Sequence, residues 1–191
     1  MWASPLEQIE SKYAKAAGAF LATKIPAGMG EVTVYEALSH VLGRVSSLVE
    51  YVCDLDTKLH PAFDGLEESK KALQHMSRRF THILPEKLHA GLKLAASSDP
   101  HSLFARIVGG DPRNRSIDTF SRMPVILNEA IEAIETHIPV EVNTDLQQGY
   151  RATEAREGIL EELKGAMNAY TTTIAPLDEA MTAERVKKAS R

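Results

Sequence analysis

The chain has 191 residues, 43% of them hydrophobic and 25% charged, with a formal net charge of -4. That length and balance suit a folded chain that buries its own core, which excludes wholesale disorder, and the acidic balance excludes an overall basic field drawing the protein to nucleic acid. Cys53 is the single cysteine, so an intramolecular disulfide is ruled out and a reducing, cytoplasmic setting is expected.

The opening stretch MWASPLEQIESKYAKAAGAF interrupts its apolar positions with glutamates and lysines, which argues against a secretory signal. Within it, Ser4-Pro5-Leu6-Glu7 has the form of a capping box with proline in the first turn. Leu6, Ile9, Tyr13, Ala16 and Phe20 then recur at steps of three and four, predicting a helix that Pro26, Gly28 and Gly30 end.

A second box, Thr33-Val34-Tyr35-Glu36, opens the most regular segment. Leu38, Val41, Val45, Leu48, Val52, Leu55 and Leu59 form a heptad seam, predicting helix from Thr33 to Leu59, and Leu42 and Val49 widen the seam on one side. His60-Pro61 breaks the pattern, and Asp64 to Glu67 supplies a cap for a third helix through Leu66, Leu73, Met76, Phe80 and Ile83. Pro85 is expected to stop or kink that helix, with Leu88, Leu92 and Ala95 on a short piece beyond it.

Asp99-Pro100 predicts a short helix through Val108, followed by VGGDPRNRS (Val108 to Ser116), read as a connection. Helical periodicity returns at Ile117, Phe120, Met123, Leu127, Ile131, Ile134 and Ile138, with Pro124 at a first turn or bend. Pro139 to Val142 reads as extended but too short for a sheet of its own. The last long helix carries Tyr150, Ile159, Leu160, Leu163, Met167, Tyr170 and Ile174, and the β-branched run Thr171 to Thr173 before Pro176 predicts a break near residue 175.

No sustained strand alternation, internal repeat or apolar run of roughly 18 residues is present. The expected fold is therefore all-α: an antiparallel bundle of four long helices with two or three short ones. It forms one domain over residues 1–191, with a kinked or frayed segment at 176–191.

His75, His82 and His89 stand seven residues apart, and Glu86 to His89 has the E-x-x-H form of di-metal bundles. Such a centre needs two E-x-x-H pairs and two further glutamates, and Pro85 is expected to take the rings off a common face, so no metal site is assigned. Glu36 and His40 sit four apart on one helix and read as a surface pair. Cys53 lacks the surroundings of a thiol active site, no G-x-S-x-G elbow exists, and no nucleotide or other cofactor motif is present. Tyr150 to Glu154 has the loose Y-x-x-x-[DE] form that resembles the export signal of type VII secretion substrates, but the companion W-x-G turn is absent and the family is not adopted.

Arg106, Arg113, Arg115 and Arg122 fall within seventeen residues against Asp111 and Asp118. Guanidinium forks there suit phosphates or carboxylates. Phe104 and Phe120, expected in the core, are the only rings among them, which weakens a nucleic-acid reading.

With no catalytic constellation, metal site or cofactor, the expected function is non-enzymatic association as an assembly, scaffold or adaptor subunit. A protein partner or a second copy would be held through coiled-coil-like packing, with Leu42 and Val49 as interface candidates. The alternative is an anion or nucleic-acid module using the four arginines, and an inter-helix pocket for a small apolar ligand is a third option that bundles offer.

Overall fold

The computed structural model describes residues 3–54, 66–98, 112–138 and 147–190. Its helices are α1 (Pro5–Ala22), α2 (Val34–Asp54), α3 (Leu66–Ser97), α4 (Pro112–Phe120), α5 (Met123–His137), α6 (Gln147–Thr173) and α7 (Ala175–Ala189). Strands β1 (Lys24–Ala27) and β2 (Gly30–Thr33) complete the order between α1 and α2. The fold is all-α, carried by helices of mixed length around one core cluster, with α3 packed against α1, α2, α4 and α5. The predicted segments 55–65, 99–111 and 139–146, including the Asp64 and Asp99 caps, lie outside the described residues. No described helix is long and apolar enough to cross a membrane.

Both capping boxes form. The Ser4 hydroxyl accepts the Glu7 amide while the Glu7 carboxylate accepts the Ser4 amide, so two orphan donors of α1 are satisfied at once. Thr33 and Glu36 do the same for α2, where the Glu36 carboxylate also takes the Thr33 hydroxyl. Those hydrogen bonds to the ionised form hold both carboxyls below the ordinary glutamate value.

The segment after α1 is a hairpin rather than a plain terminator. Lys24 pairs with Thr33 and Ala27 with Gly30, and Gly28 at φ +60° takes the left-handed turn that a two-residue connection requires. Four-residue strands are too short to show alternation, so periodicity alone misses them. The hairpin lies against α6, where Ile25 is buried over Gly165 and the Gly28 amide donates to Glu161 Oε2 at 3.2 Å.

The expected interruption at Pro85 does not occur: α3 continues through it as 32 residues. Leu73, Met76, Phe80, Leu84, Leu88 and Leu94 are buried on both sides of an exposed Pro85, so the missing amide falls on the solvent side while packing holds the helix together across it. Assuming a break also shifted the expected stripe. Leu92, placed on it from sequence, is 42% exposed, and Leu84 is fully buried instead.

The break after Phe120 is real, with Pro124 in the first turn of α5. A second break falls at Ile174, with Pro176 in the first turn of α7. The threonines before it remain helical, and each hydroxyl donates to a carbonyl one turn back. Ala175–Ala189 therefore form a helix of their own.

Phe20, Tyr13, Phe120 and Tyr170 bring α1, α4 and α6 together. Their rings pack mainly edge to face, at 5.8 Å for Phe20 with Phe120 and 5.6 Å for Phe20 with Tyr170. Gly91 of α3 makes room for this set, since a Cβ there would stand 2.6 Å from Phe120 Cε2. Gly91→Ala should therefore lower stability by about 1–3 kcal/mol through overpacking. Pro85→Ala, on the exposed face, should raise it by up to about 3 kcal/mol. Denaturant midpoints of the two variants check both directions.

Candidate functional site

Four places concentrate polar or open surface: a buried tyrosine chain, a cleft between α3 and α5, the arginine-bearing segment around α4, and a groove between α2 and α6.

The tyrosine chain is internal. Tyr170 donates to Asp178 Oδ2 at 2.8 Å and so uses its one proton, which leaves Tyr13 as the donor across the 3.3 Å Tyr13–Tyr170 contact. Burial pushes both phenols well above the ordinary tyrosine value. Burial also pushes the Asp178 carboxyl up, against the lowering effect of the tyrosine hydrogen bonds. The chain bonds α1 and α6 to α7.

The α3–α5 cleft, about 290 Å³, is lined by His75, Met76, Arg79, Glu129, Glu132, Ala133, Thr136 and His137. Arg79 pairs with Glu129 at 3.3 Å, and Ser69 Oγ lies 3.0 Å from His137 Nδ1. Because α3 does not break, His75, His82 and His89 share one exposed stripe, contrary to the sequence expectation. Among the described residues no group of three His, Cys, Asp or Glu side chains is placed to hold a metal ion. Cys53 is partly buried, and that burial pushes its thiol up, away from the reactive thiolate.

The arginine segment is not simply a loop. Pro112 begins α4, so the part of the predicted connection from Pro112 onward is helical. Arg113 lies in the first turn of α4, and Arg115, two residues on, is exposed. Arg122 is exposed at the junction with α5, and Arg106 lies outside the described residues. Asp118 on α4 receives Arg185 from α7 at 3.0 Å.

The groove between α2 and α6 has a volume of about 560 Å³. On α2, His40, Gly43, Arg44, Ser47, Leu48 and Tyr51 line it, facing Ala152 and Ala155 on α6. It exists because small residues stand where the two helices face outward together. Arg44 closes one part of the wall: its guanidinium lies over Gly158, where a Cβ would meet Nη2 at 2.8 Å, and donates to Glu162 Oε1 at 2.6 Å. Glu162 is 7% exposed, and its Oε2 is buried without a hydrogen-bond partner. Arg156, six residues earlier, is 5% exposed and donates from Nε to the Ile138 carbonyl at 2.9 Å and from Nη1 to Glu157, tying α6 to the end of α5.

The interface candidates from sequence fall beside this groove rather than in it. Val49 is 3% exposed within the chain's own core, and Leu42 packs partly buried against that core. Val49 is thus taken up by the chain's own core, while Leu42 stays partly exposed.

The glycines supply what hydrophobic spacing cannot. Gly18 packs on Ala95, Gly91 on Phe120, Gly158 under Arg44 and Gly165 on Ile25, so each is explained by a close neighbour. Gly43 has nothing within 4 Å of where its Cβ would stand. Among these described helical glycines it alone has no internal packing reason.

No protein-family model matches the chain, and no significant match is found among curated proteins or solved structures.

Asp178 gives a pH test. Its raised carboxyl binds more protons folded than unfolded, so its contribution to stability falls as pH rises from the unfolded value near 3.8 through the folded one. Asp178→Asn keeps an acceptor for Tyr170 and removes the titration. The variant should match the parent at pH 3 and become the more stable of the two by neutral pH, as measured by chemical unfolding across that range.

Proposed function

We propose that the protein acts by non-covalent association, without catalysis, through the α2–α6 groove. The observation that carries this reading is Gly43, a helix-interior glycine that lines the groove with open space at its Cβ. An exposed glycine in a helix weakens it by about 1 kcal/mol relative to alanine. No contact within the described chain requires the missing methyl, so the position suits another backbone approaching from outside. Gly43 and Ser47, one turn apart, and Ala152 and Ala155 opposite give a floor low enough for a helix to lie between α2 and α6.

The surroundings agree with association more than with chemistry. The tyrosine chain and the buried arginine are bonded within the chain, and the groove walls are mostly apolar. This moves the proposed contact one face away from Leu42 and Val49. The partner is a polypeptide helix, and the role is that of an assembly, scaffold or adaptor subunit.

A photo-crosslinking amino acid placed at position 43 tests the reading in cells that express the chain. It should give a discrete protein adduct, whereas the same group at the exposed Asn128 on α5 should not. Equal labelling at both positions, or no adduct at 43, would remove the groove from consideration.

A further inference from the structure

The occupant of the groove can be taken one step further, on the reading that the groove is an association site. We propose that it receives the distal half of α7 from a second copy of this chain, head to tail.

Helix α7 is attached at its beginning and bare at its end. Met181 is its one buried residue, with Leu177 partly buried and Asp178 bonded to Tyr170. From Thr182 to Ala189 every residue is exposed except Glu184, which is half-buried, and Val186 is 60% exposed. Helices this short depend on tertiary packing for most of their stability, so a bare distal half suits a helix that gains a neighbour on association.

Shape and charge fit the groove. Ala183, Val186 and Ala189 recur at steps of three, a low apolar ridge with one larger side chain at its centre. The groove lining runs from His40 to Tyr51, about 16 Å along α2, and the exposed part of α7 is about 12 Å long. Gly43, Ser47, Glu50 and Asp54 lie on one stripe of α2 at helical spacing, and the exposed acids Glu50, Asp54 and Glu154 stand next to lining residues rather than in the lining, where the one fixed charge, Arg44, is already paired with Glu162. Arg185, Lys187 and Lys188 flank Val186 with the opposite sign. Their present contacts are with Asp118 and Glu184 as solvent-exposed pairs, and with Glu7 at longer range, interactions weak enough to exchange.

The two surfaces differ, so their union is heterologous and propagates into chains or closes into a ring. Sedimentation of the full chain over a concentration series should show species growing beyond a dimer and receding as added salt screens the charge pairs. Gly43→Trp, which fills the groove from an open Cβ, and Val186→Asp, on the exposed ridge, should each weaken association about tenfold or more. Mixed in equal amounts, the two variants should recover a complex that stops at two chains. One chain then supplies the intact groove and the other the intact ridge.

A chain that stays monomeric at all concentrations, or a mixture that recovers nothing, overturns the head-to-tail contact. Val186→Asp lies on exposed surface and remains foldable, so it decides the question even if Gly43→Trp misfolds. An adduct at position 43 weighing as much as two copies supports the proposal. An adduct with a different protein sinks it and leaves the groove as an association site standing.

Discussion

The contact of the Phe120 ring with the bare backbone of Gly91 is the constraint on which the interior arrangement turns. It lets a nine-residue helix come close to α3, and Phe120 then presents its ring to Phe20, Tyr13 and Tyr170. Two members of this set carry hydroxyls, and a buried hydroxyl needs a partner. Tyr13 gives its proton to Tyr170, and Tyr170 gives its proton to Asp178 on α7. A packing decision at one glycine thus fixes where a polar chain must end, and that end attaches the last helix.

The way α7 is attached explains why its two halves differ. Leu177, Asp178 and Met181 all lie in its first two turns, where the tyrosine chain and the core can reach it. Beyond Met181 the side chains are exposed apart from half-buried Glu184, and the ion pairs there contribute at most about 1 kcal/mol each and compete with water. The helix is therefore well located at one end and lightly held at the other.

Helix content was legible because it depends on local spacing. Ser4 with Glu7, Thr33 with Glu36, and the stripes of α2 and α5 announce themselves in a single strand of text. Pro85 misled for a physical reason: a proline rule describes an isolated helix, whereas here buried residues on both sides of an exposed ring hold the rod together. The hairpin was missed because its evidence is the Gly28-Met29 turn rather than any alternation. A two-residue connection opening on glycine was the available signal. Pro112 was likewise read as a turn when it stands at the first position of a helix, the other place that proline favours.

The groove was not legible, because it is made from residues that are absent from any hydrophobic pattern. Leu42 and Val49 drew attention as large apolar side chains, yet large apolar side chains beside a seam are what a chain's own core consumes first. A surface kept for another helix is better marked by small residues that leave room, and glycine at position 43 is informative only once Gly18, Gly91, Gly158 and Gly165 have been matched to their neighbours. Gly158 shows the contrast within the same groove wall. Its missing Cβ is occupied by the Arg44 guanidinium on its way to Glu162, so the sequence alone would rank the two glycines as equivalent. The difference between them is the difference between a space the chain fills and a space it leaves, and the proposed association follows from the second.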